Sequence, residues 1–220
     1  MREEILKKIR EERLICIVRG VYGEDCLKLA EALHAGGICL MEVTFDQSRP
    51  EARDKTAETI RLLQEKLGRE MAFGAGTVTS REMLDMTKQA GGQFVISPDV
   101  NEEIIRGTRA LGMVSIPGAL TPTEVMKAYR AGADYVKIFP ADTMGPAYIK
   151  ALKAPLSHIP MLAVGGVNAQ NLPDFLAAGA AGAGVGGNLV NKAWIAAGEF
   201  DKITACARSF TEAVRQSKRI

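Results

Sequence analysis

The sequence predicts a single-domain (β/α)8 TIM barrel over residues 1–220, and three observations support that fold class. Short apolar runs alternate eight times with amphipathic segments, at a repeat of about 25 residues, which is typical of strand–helix units. The runs are apolar at successive positions, as parallel strands covered on both faces are. No linker or low-complexity segment divides the chain. An open doubly wound sheet is the alternative, but no G-x-G-x-x-G motif follows the first apolar run.

Start and stop signals place the elements in order along the chain. A charged helix over residues 1–12 is predicted to close one end of the barrel as a capping helix. Ser80 and Asn101 are polar N-cap residues, Pro122 suits a first helical position, and glycine pairs end other helices. The predicted strands are 14–18, 38–44, 71–75, 94–97, 113–116, 134–139, 160–164 and 183–185. The predicted helices after them are 24–35, 50–67, 80–90, 101–111, 121–131, 146–153, 168–178, a short one at 188–192, and 200–218.

The composition argues against several classes of partner. Lysine and arginine number 28 against 26 acidic residues, and both signs are interspersed along the chain. No basic surface for nucleic acid or for an anionic membrane is therefore expected. No stretch approaches the ~20 apolar residues of a membrane span, and the chain opens on a polar segment. A cytoplasmic protein without a nucleic-acid or membrane partner is expected.

Cysteine and histidine give no indication of a metal site. The four cysteines lack C-x-x-C spacing, and the two histidines lie far apart in the sequence. Cys16 and Cys39 stand in apolar runs, where a thiol behaves as a small hydrophobic group. The sequence therefore predicts no metal and no catalytic dyad that needs histidine.

One lysine, Lys137, stands in the middle of the apolar segment 135–139. Removing an ammonium group from water lowers its pKa, and the neutral amine is a nucleophile that condenses with a carbonyl to form a Schiff base. The alternative is a structural lysine that extends into solvent or pairs with a carboxylate. Polar groups at the other strand ends favour the first interpretation.

The ends of the first four predicted strands carry three polar residues, Arg19, Glu42 and Thr77, and the apolar Pro98. Barrel enzymes place their chemistry at the ends of the strands that lead into the helices. Side chains alternate between the faces of a strand, so one register points Arg19, Glu42 and Lys137 into the barrel. The same alternation would place Phe73, in the third strand, on the inward face with Thr77.

Such a pocket predicts a narrow chemistry. Lys137 would attack a ketone, Glu42 would move protons, and Arg19 would bind a substrate carboxylate with the help of the Thr77 hydroxyl. Two alternatives stay open. Glu42 and Lys137 would form a buried salt bridge with no catalytic role, and Arg19 would be a charged residue at the edge of the barrel with no binding role.

Glycines after the seventh and eighth predicted strands indicate a second binding region, for a phosphate group. Gly165 and Gly166 end one strand, and Gly187 and Asn188 lead from the other into the predicted short helix. In many barrels these two loops and such a helix N-terminus bind phosphate through backbone amides. The alternative is that these glycines form helix C-caps and turns.

With these residues in view, the chain resembles the class I aldolases that cleave 2-keto-3-deoxy-6-phosphogluconate (KDPG) and 4-hydroxy-2-oxoglutarate (KHG). The resemblance spans nearly the whole chain. Its segments are Ile17-Val18-Arg19, Met41-Glu42-Val43-Thr44, Gly74-Ala75-Gly76-Thr77-Val78, Ile96-Ser97-Pro98, Ile116-Pro117-Gly118, Lys137-Ile138-Phe139-Pro140-Ala141 and Val164-Gly165-Gly166-Val167.

This resemblance implies an aldehyde-lyase of carbohydrate (Entner–Doudoroff) metabolism that needs no cofactor and assembles as a homotrimer. It implies that Lys137 forms the Schiff base, that Glu42 acts as acid and base through a water, and that Phe139 packs beside the imine. It also implies that Arg19, Thr77 and Pro98 belong to the part of the site that holds the pyruvyl end of a 2-keto acid.

Three positions depart from the family pattern. Asp46 stands where some members carry an arginine, Val164 replaces a frequent threonine, and Asn188 replaces a phosphate-binding serine. The substrate therefore stays open between KDPG, the corresponding 6-phosphogalactonate and an unphosphorylated analogue. Two other classes are alternatives: a phosphate-binding barrel isomerase or synthase, and a non-catalytic sugar-phosphate binding barrel.

Overall fold

The computed structural model describes residues 2–49 and 52–217 and shows an α/β barrel of parallel strands with helices between them. The strands within these ranges are β1 Leu14–Val18, β2 Leu40–Thr44, β3 Ala72–Gly76, β4 Phe94–Ile96, β5 Val114–Ile116, β6 Gly118–Ala119, β7 Val136–Ile138, β8 Met161–Val164 and β9 Gly182–Val185. The helices are α1 Arg2–Glu12, α2 Gly23–Ala35, α3 Arg53–Leu67, α4 Arg81–Gln89, α5 Glu102–Ala110, α6 Pro122–Ala131, α7 Ala141–Lys153, α8 Leu172–Ala177, α9 Lys192–Ala196 and α10 Phe200–Ser217.

The strands hydrogen-bond in the order β5-β4-β3-β2-β1-β9-β8-β7-β6, and all pairs are parallel. The first and last strands of this order, β5 and β6, are consecutive in the chain, so the sheet is a nearly closed barrel. Pro117 separates them because proline has no amide hydrogen for the ladder. Its carbonyl still accepts a hydrogen bond from the Lys137 amide at 2.9 Å. The predicted fifth strand, 113–116, is thus followed by a short additional strand, β6, that the sequence did not predict.

The strands have two apolar faces, each with its own cluster. The inward face carries Ile15, Leu40 and Phe94, and Ile5 and Ile9 of α1 join the same cluster. The outward face packs against the surrounding helices in a larger cluster. Burial on both sides explains why the strand segments are apolar at successive positions.

The predicted orientation of β3 is wrong. Phe73 and Ala75 belong to the outward cluster, whereas Ala72 belongs to the inward one. Thr77 follows the strand with a φ of 58°, so the simple alternation of faces does not extend to it. Thr77 nevertheless lines the inner pocket, because the left-handed backbone turns its side chain back over the end of the barrel.

Three helices begin four or five residues away from their predicted starts, and one of them, α8, begins at Leu172 rather than at residue 168. The short helix after β9 begins at Lys192 rather than at residue 188, because Asn191 provides its N-cap: the Asn191 side chain accepts hydrogen bonds from the amides of Ala193 and Trp194. Helix α7 begins at Ala141 and contains a break at Gly145, whose φ is 72°. The predicted helix start at residue 50 and helix end at residue 218 lie outside the described residues. Among the helices of the described ranges, none is long and apolar enough to cross a membrane.

Candidate active site

A pocket of about 370 Å³ lies at the carboxyl ends of the barrel strands, and all ten predicted site residues line it. They are Arg19, Glu42, Thr77, Pro98, Lys137, Phe139, Gly165, Gly166, Gly187 and Asn188. The lining also includes Ile17, Val167 and Gly184, which were not among the predicted site residues. Ile17 lies two residues before Arg19 on the same face of β1, so strand alternation alone could have identified it.

Lys137 lies at the centre of β7, paired with Gly118 on one side and Leu162 on the other. Burial lowers the pKa of its ammonium group, the charge of Glu42 opposes that shift, and the charge of Arg19 adds to it. The Nζ atom lies 4.7 Å from the centroid of the Phe139 ring. The amine is therefore partly desolvated and faces an open pocket, which suits a nucleophile.

Glu42, in β2, is a buried carboxyl group with an unsatisfied oxygen. The residue is 2% exposed, and its Oε2 atom has no hydrogen-bond partner. Burial raises its pKa to about 7, although the charges of Lys137 and Arg19 pull in the opposite direction. Within the described ranges, no ion pair of 4 Å or less joins Glu42 to a cation. The closed salt bridge with Lys137 is thus not formed, and the carboxyl group is available for proton transfer near neutral pH.

Gly76, the last residue of β3, provides the space for this carboxyl group. A Cβ atom at residue 76 would lie 2.2 Å from Oε1 of Glu42 and 2.8 Å from Cγ2 of Thr44. No real Cβ contact is that short, so a larger residue would displace the carboxylate. The glycine is therefore part of how the chain positions Glu42.

Thr77 and Arg19 form a second polar part of the pocket lining, in addition to Lys137 and Glu42. A terminal nitrogen of Arg19 donates a hydrogen bond to the Thr77 hydroxyl at 3.1 Å. Thr77 has a positive φ, which is strained for a β-branched residue. The side chain of Gln47 donates to the Thr77 carbonyl at 2.9 Å and supports this conformation. A guanidinium and a hydroxyl group are thus held side by side, an arrangement that suits a carboxylate ligand.

The loops after β8 and β9 provide a wall without charged side chains. Gly165 and Gly166 both have a positive φ, 101° and 64°. A Cβ atom at residue 166 would lie 2.3 Å from Cβ of Asp142, so this close approach requires glycine. The Asn188 side chain donates to the carbonyl of Val167 at 2.8 Å and ties the two loops together.

The expected helix N-terminus at this wall is not found, because α9 begins four residues after Asn188. A turn replaces it, in which the amides of Leu189 and Val190 both donate to the carbonyl of Gly186. Anion binding here would therefore depend on glycine backbone amides and on the second N–H of Asn188. Within residues 2–49 and 52–217, no cluster of three or more His, Cys, Asp or Glu side chains could hold a metal ion.

Comparisons with known proteins show which family this chain belongs to. Residues 5–206 match the family model described as KDPG and KHG aldolase. A 2-dehydro-3-deoxy-6-phosphogalactonate aldolase of Escherichia coli is 35% identical over 203 residues, which cover 92% of this chain and 96% of that protein. A solved structure described as native KDPGal has a TM-score of 0.85 at 34% identity and covers 94% of this chain and 96% of its own.

A third similarity concerns the chemistry of the pocket. A KDPG aldolase from Legionella pneumophila, solved with pyruvate captured as a covalent carbinolamine intermediate, has a TM-score of 0.80 at 28% identity. The match covers 90% of this chain and 94% of the Legionella pneumophila chain. A carbinolamine is the adduct that precedes a Schiff base.

Proposed function

This chain belongs to the KDPG and KHG aldolase family and is an aldolase, a carbon–carbon lyase, and from that premise we propose its reaction in detail. It is a class I aldolase that cleaves a 2-keto-3-deoxy-6-phospho sugar acid, either KDPG or its 6-phosphogalactonate epimer, to pyruvate and glyceraldehyde 3-phosphate. KHG, which yields pyruvate and glyoxylate, is a second substrate. The single observation that carries this proposal is the desolvated Lys137 amine in the same pocket as the unpaired Glu42 carboxyl group.

Lys137 is the proposed nucleophile. Its neutral Nζ atom attacks the C2 carbonyl carbon of the substrate to give a carbinolamine, and loss of water gives the iminium ion. Glu42 then removes the proton of the C4 hydroxyl group, directly or through a water molecule. The C3–C4 bond breaks and the aldehyde leaves. The electron pair of the broken bond moves into the iminium, which becomes an enamine. A proton delivered to C3 and hydrolysis of the imine then release pyruvate and restore the Lys137 amine.

Arg19 and Thr77 are proposed to hold the substrate carboxylate. The guanidinium already bonds to the Thr77 hydroxyl, so both donors converge before substrate arrives. Pro98 and Phe139 form apolar surfaces of the same pocket. Their role is to hold the pyruvyl carbons and to limit water around the imine.

Gly165, Gly166, Gly187 and Asn188 are proposed to bind the phosphate group at the far end of the substrate. Backbone amides at bare glycines can approach an anion closely. No charged side chain is present among the residues of this wall that line the described pocket. The phosphate contribution to affinity is therefore expected to depend on backbone hydrogen bonds rather than on ion pairs.

A specific observation favours the 6-phosphogalactonate epimer over KDPG. Val164 lines the pocket directly before Gly165, at a position where threonine is frequent in this family. A valine side chain offers no hydrogen bond to the hydroxylated carbons of the substrate, and the Escherichia coli relative is named for the galactonate compound. The ratio of kcat/KM for the two phosphorylated epimers tests this choice, and a preference for KDPG would overturn it.

Reductive trapping tests the reaction itself. The enzyme is mixed with pyruvate, reduced with sodium borohydride and mapped by peptide mass spectrometry. We expect one pyruvyl adduct, on Lys137, and none in a Lys137→Gln variant. An enzyme that turns over substrate while Lys137 stays unmodified would overturn the Schiff-base assignment.

We further propose that the protein acts in the cytoplasm in carbohydrate metabolism, as a homotrimer in which each chain is one domain. We also propose that α1 closes the barrel end opposite the pocket. The support is that Ile5 and Ile9 of α1 pack against the inward strand cluster. Tyr129 and Met144 are exposed large apolar side chains that an interface between copies could cover. Light scattering of the purified protein tests the trimer, and a monomeric mass would contradict it.

A further inference from the structure

A second cavity of about 360 Å³ lies beside the catalytic pocket and shares Arg19 with it. It is formed where the loops after β1 and β2 meet the beginning of α9. Its walls contain four cationic side chains, those of Arg19, Arg49, Lys55 and Lys192, and one anionic side chain, that of Asp46. None of the other described residues that line it is charged, so the described walls carry three more positive than negative charges.

The one acidic group of the described walls, Asp46, forms no close ion pair with these cations. Its Oδ1 atom accepts hydrogen bonds from the amide of Ser48 at 3.0 Å and from the Ser48 hydroxyl at 2.7 Å. These hydrogen bonds lower the pKa of the carboxyl group, and the charges of Arg49 and Arg19 help to lower it. In the part of the chain that the structure describes, no carboxylate oxygen lies within 4 Å of Arg19, Arg49 or Lys192. Among the described residues, three cations thus line a small cavity without a carboxylate oxygen within 4 Å, and Asp46 balances them only in part.

The local backbone brings one of these cations close to Arg19. The Nζ atom of Lys192 lies 3.1 Å from the position that a Cβ atom at residue 20 would occupy. Gly20 has a φ of 69°, and because it lacks a side chain the ammonium group can lie over the loop that directly follows Arg19. Lys192 and Arg19 are therefore neighbours across the boundary between the two pockets.

We propose that this cavity is a second anion-binding site, one that takes a free phosphate group rather than the phosphate of the aldol substrate. Phosphate carries the charge and the acceptor oxygens that a set of guanidinium and ammonium donors recognises. The cavity shares no residue with the glycine loops proposed for the substrate phosphate. A phosphate ion and the phosphate of a small metabolite offer the same chemistry here.

Occupancy of this site has a direct consequence for the reaction, on the premise that Arg19 binds the pyruvyl carboxylate as proposed above. Arg19 borders both cavities, and its guanidinium bonds to Thr77 in the catalytic pocket. A bound anion attracts the same guanidinium and competes with the substrate carboxylate for it. Phosphate therefore weakens the binding of pyruvyl compounds without entering the catalytic pocket.

The first test measures binding alone. Inorganic phosphate is titrated into the full chain by calorimetry at low ionic strength, with Lys192→Gln, Arg49→Gln and the control Lys88→Gln, which removes the same charge from an exposed position in α4. Loss of one charge-assisted hydrogen bond is expected to weaken phosphate binding about tenfold in each cavity variant. The control is expected to bind as the wild type does. Equal phosphate affinity in all four proteins would overturn the proposal.

The second test locates the effect with a substrate that has no phosphate. Exchange of the pyruvate methyl hydrogens with solvent deuterium, followed by NMR, reports imine and enamine formation. We expect phosphate to raise the apparent KM for pyruvate in the wild type, and Lys192→Gln to need about tenfold more phosphate for the same rise while its rate without phosphate is unchanged. Inhibition that persists equally in Lys192→Gln would place the anion in the catalytic pocket and overturn the proposal. An absence of exchange in the wild type would instead refute the proposed function, and the calorimetry would still decide the anion site.

Discussion

Two buried carboxyl groups, Asp134 and Glu42, show how differently this chain treats the same chemical group at two places. Asp134, just before β7, has a side chain that is 4% exposed and fully bonded: Oδ2 accepts from the amide of Ser115 at 2.9 Å, and Oδ1 accepts from Arg109 at 3.0 Å and also from Arg2. Glu42 is 2% exposed and leaves Oε2 without a partner.

The difference separates a structural role from a chemical one. A buried carboxylate that is completely hydrogen-bonded and paired holds elements together, and here it joins α1, α5 and β5 to the segment before β7. A buried carboxyl group without partners is unfavourable to the fold, and burial raises the pKa of Glu42 to about 7, where proton transfer is effective. Among the described residues, Glu42 is the one carboxyl group with a buried oxygen that lacks a hydrogen-bond partner, and it lies in the pocket. Four predictions test the comparison.

The largest expected effect is that of Glu42→Gln on catalysis. The amide keeps the shape of the carboxyl group but cannot accept a proton, so the rate of pyruvate hydrogen exchange should fall roughly 10²- to 10⁴-fold. Borohydride trapping on Lys137 should still succeed, because the amine remains. Stability to urea should be equal or higher, since an unpaired acid is removed from the interior. Exchange at the wild-type rate would show that Glu42 has no part in proton transfer.

The matching change at the other carboxyl group should affect stability instead. Asp134→Asn removes the charge between Arg2 and Arg109 and should lower the free energy of unfolding by about 1.5–3 kcal/mol, because both arginines stay partly exposed and are not left as buried charges. Asp85→Asn is the control: its ion pair with Arg81 is exposed, and a change below about 1 kcal/mol is expected. The exchange rate per folded molecule should equal that of the wild type. A rate loss without a stability loss would reverse the roles assigned to the two carboxyl groups.

The pH dependence of stability should carry the signature of Glu42. Its pKa is raised from an ordinary 4.5 to about 7 in the folded state. Between those two values the folded chain keeps a proton that the unfolded chain has lost, so the free energy of unfolding falls by about 1.4 kcal/mol per pH unit as the pH rises. The total is roughly 3 kcal/mol, present below about pH 4.5 and lost by about pH 7. Urea unfolding of the wild type and of Glu42→Gln should therefore diverge across this window, and parallel curves would contradict the raised pKa.

The sequence predicts this barrel well where hydrophobic periodicity determines the structure, and less well where single backbone groups do. Apolar strands and capped helices identify the α/β barrel, which the structure confirms. The separation of the short strand β6 from β5 depends on one missing amide hydrogen at Pro117. The start of α9 depends on a choice between two asparagines, and only the three-dimensional contacts show that Asn191 caps the helix while Asn188 bonds to Val167.

The site shows the same division. Arg19, Glu42 and Lys137 can be predicted because charged residues are conspicuous in apolar strands. Thr77 was predicted as a site residue for an incorrect reason: its strand neighbours face outward, and a positive φ turns its side chain into the pocket. Strain of this kind has no signal in local composition. The raised pKa of Glu42 likewise depends on the absence of a partner, which only the packed structure shows.

The smallest expected effect distinguishes two glycines of β3 that both face the barrel interior. A Cβ atom at residue 76 would meet the Glu42 carboxyl oxygen at 2.2 Å, whereas one at residue 74 would meet the Phe94 carbonyl at 2.4 Å and the Phe94 ring. Gly76→Ala should displace the carboxyl group by a fraction of an ångström to an ångström and reduce the exchange rate by up to about 100-fold. Gly74→Ala should overpack the interior and lower the free energy of unfolding by about 1–3 kcal/mol.

The two variants, both in β3, distinguish a change in the position of the Glu42 carboxyl group from a change in the packing of the interior. If Glu42 acts as the proton carrier, the activity lost in Gly76→Ala should stay lost at temperatures where the variant is fully folded, as followed by circular dichroism. The pH at which the remaining exchange activity is half-maximal should also shift, because a displaced carboxyl group no longer has the same surroundings. Gly74→Ala should regain the wild-type rate and pH profile wherever it is folded. If both variants lost stability alone, the space beside Gly76 would serve packing, and Glu42 would be no more a positioned acid than Asp134.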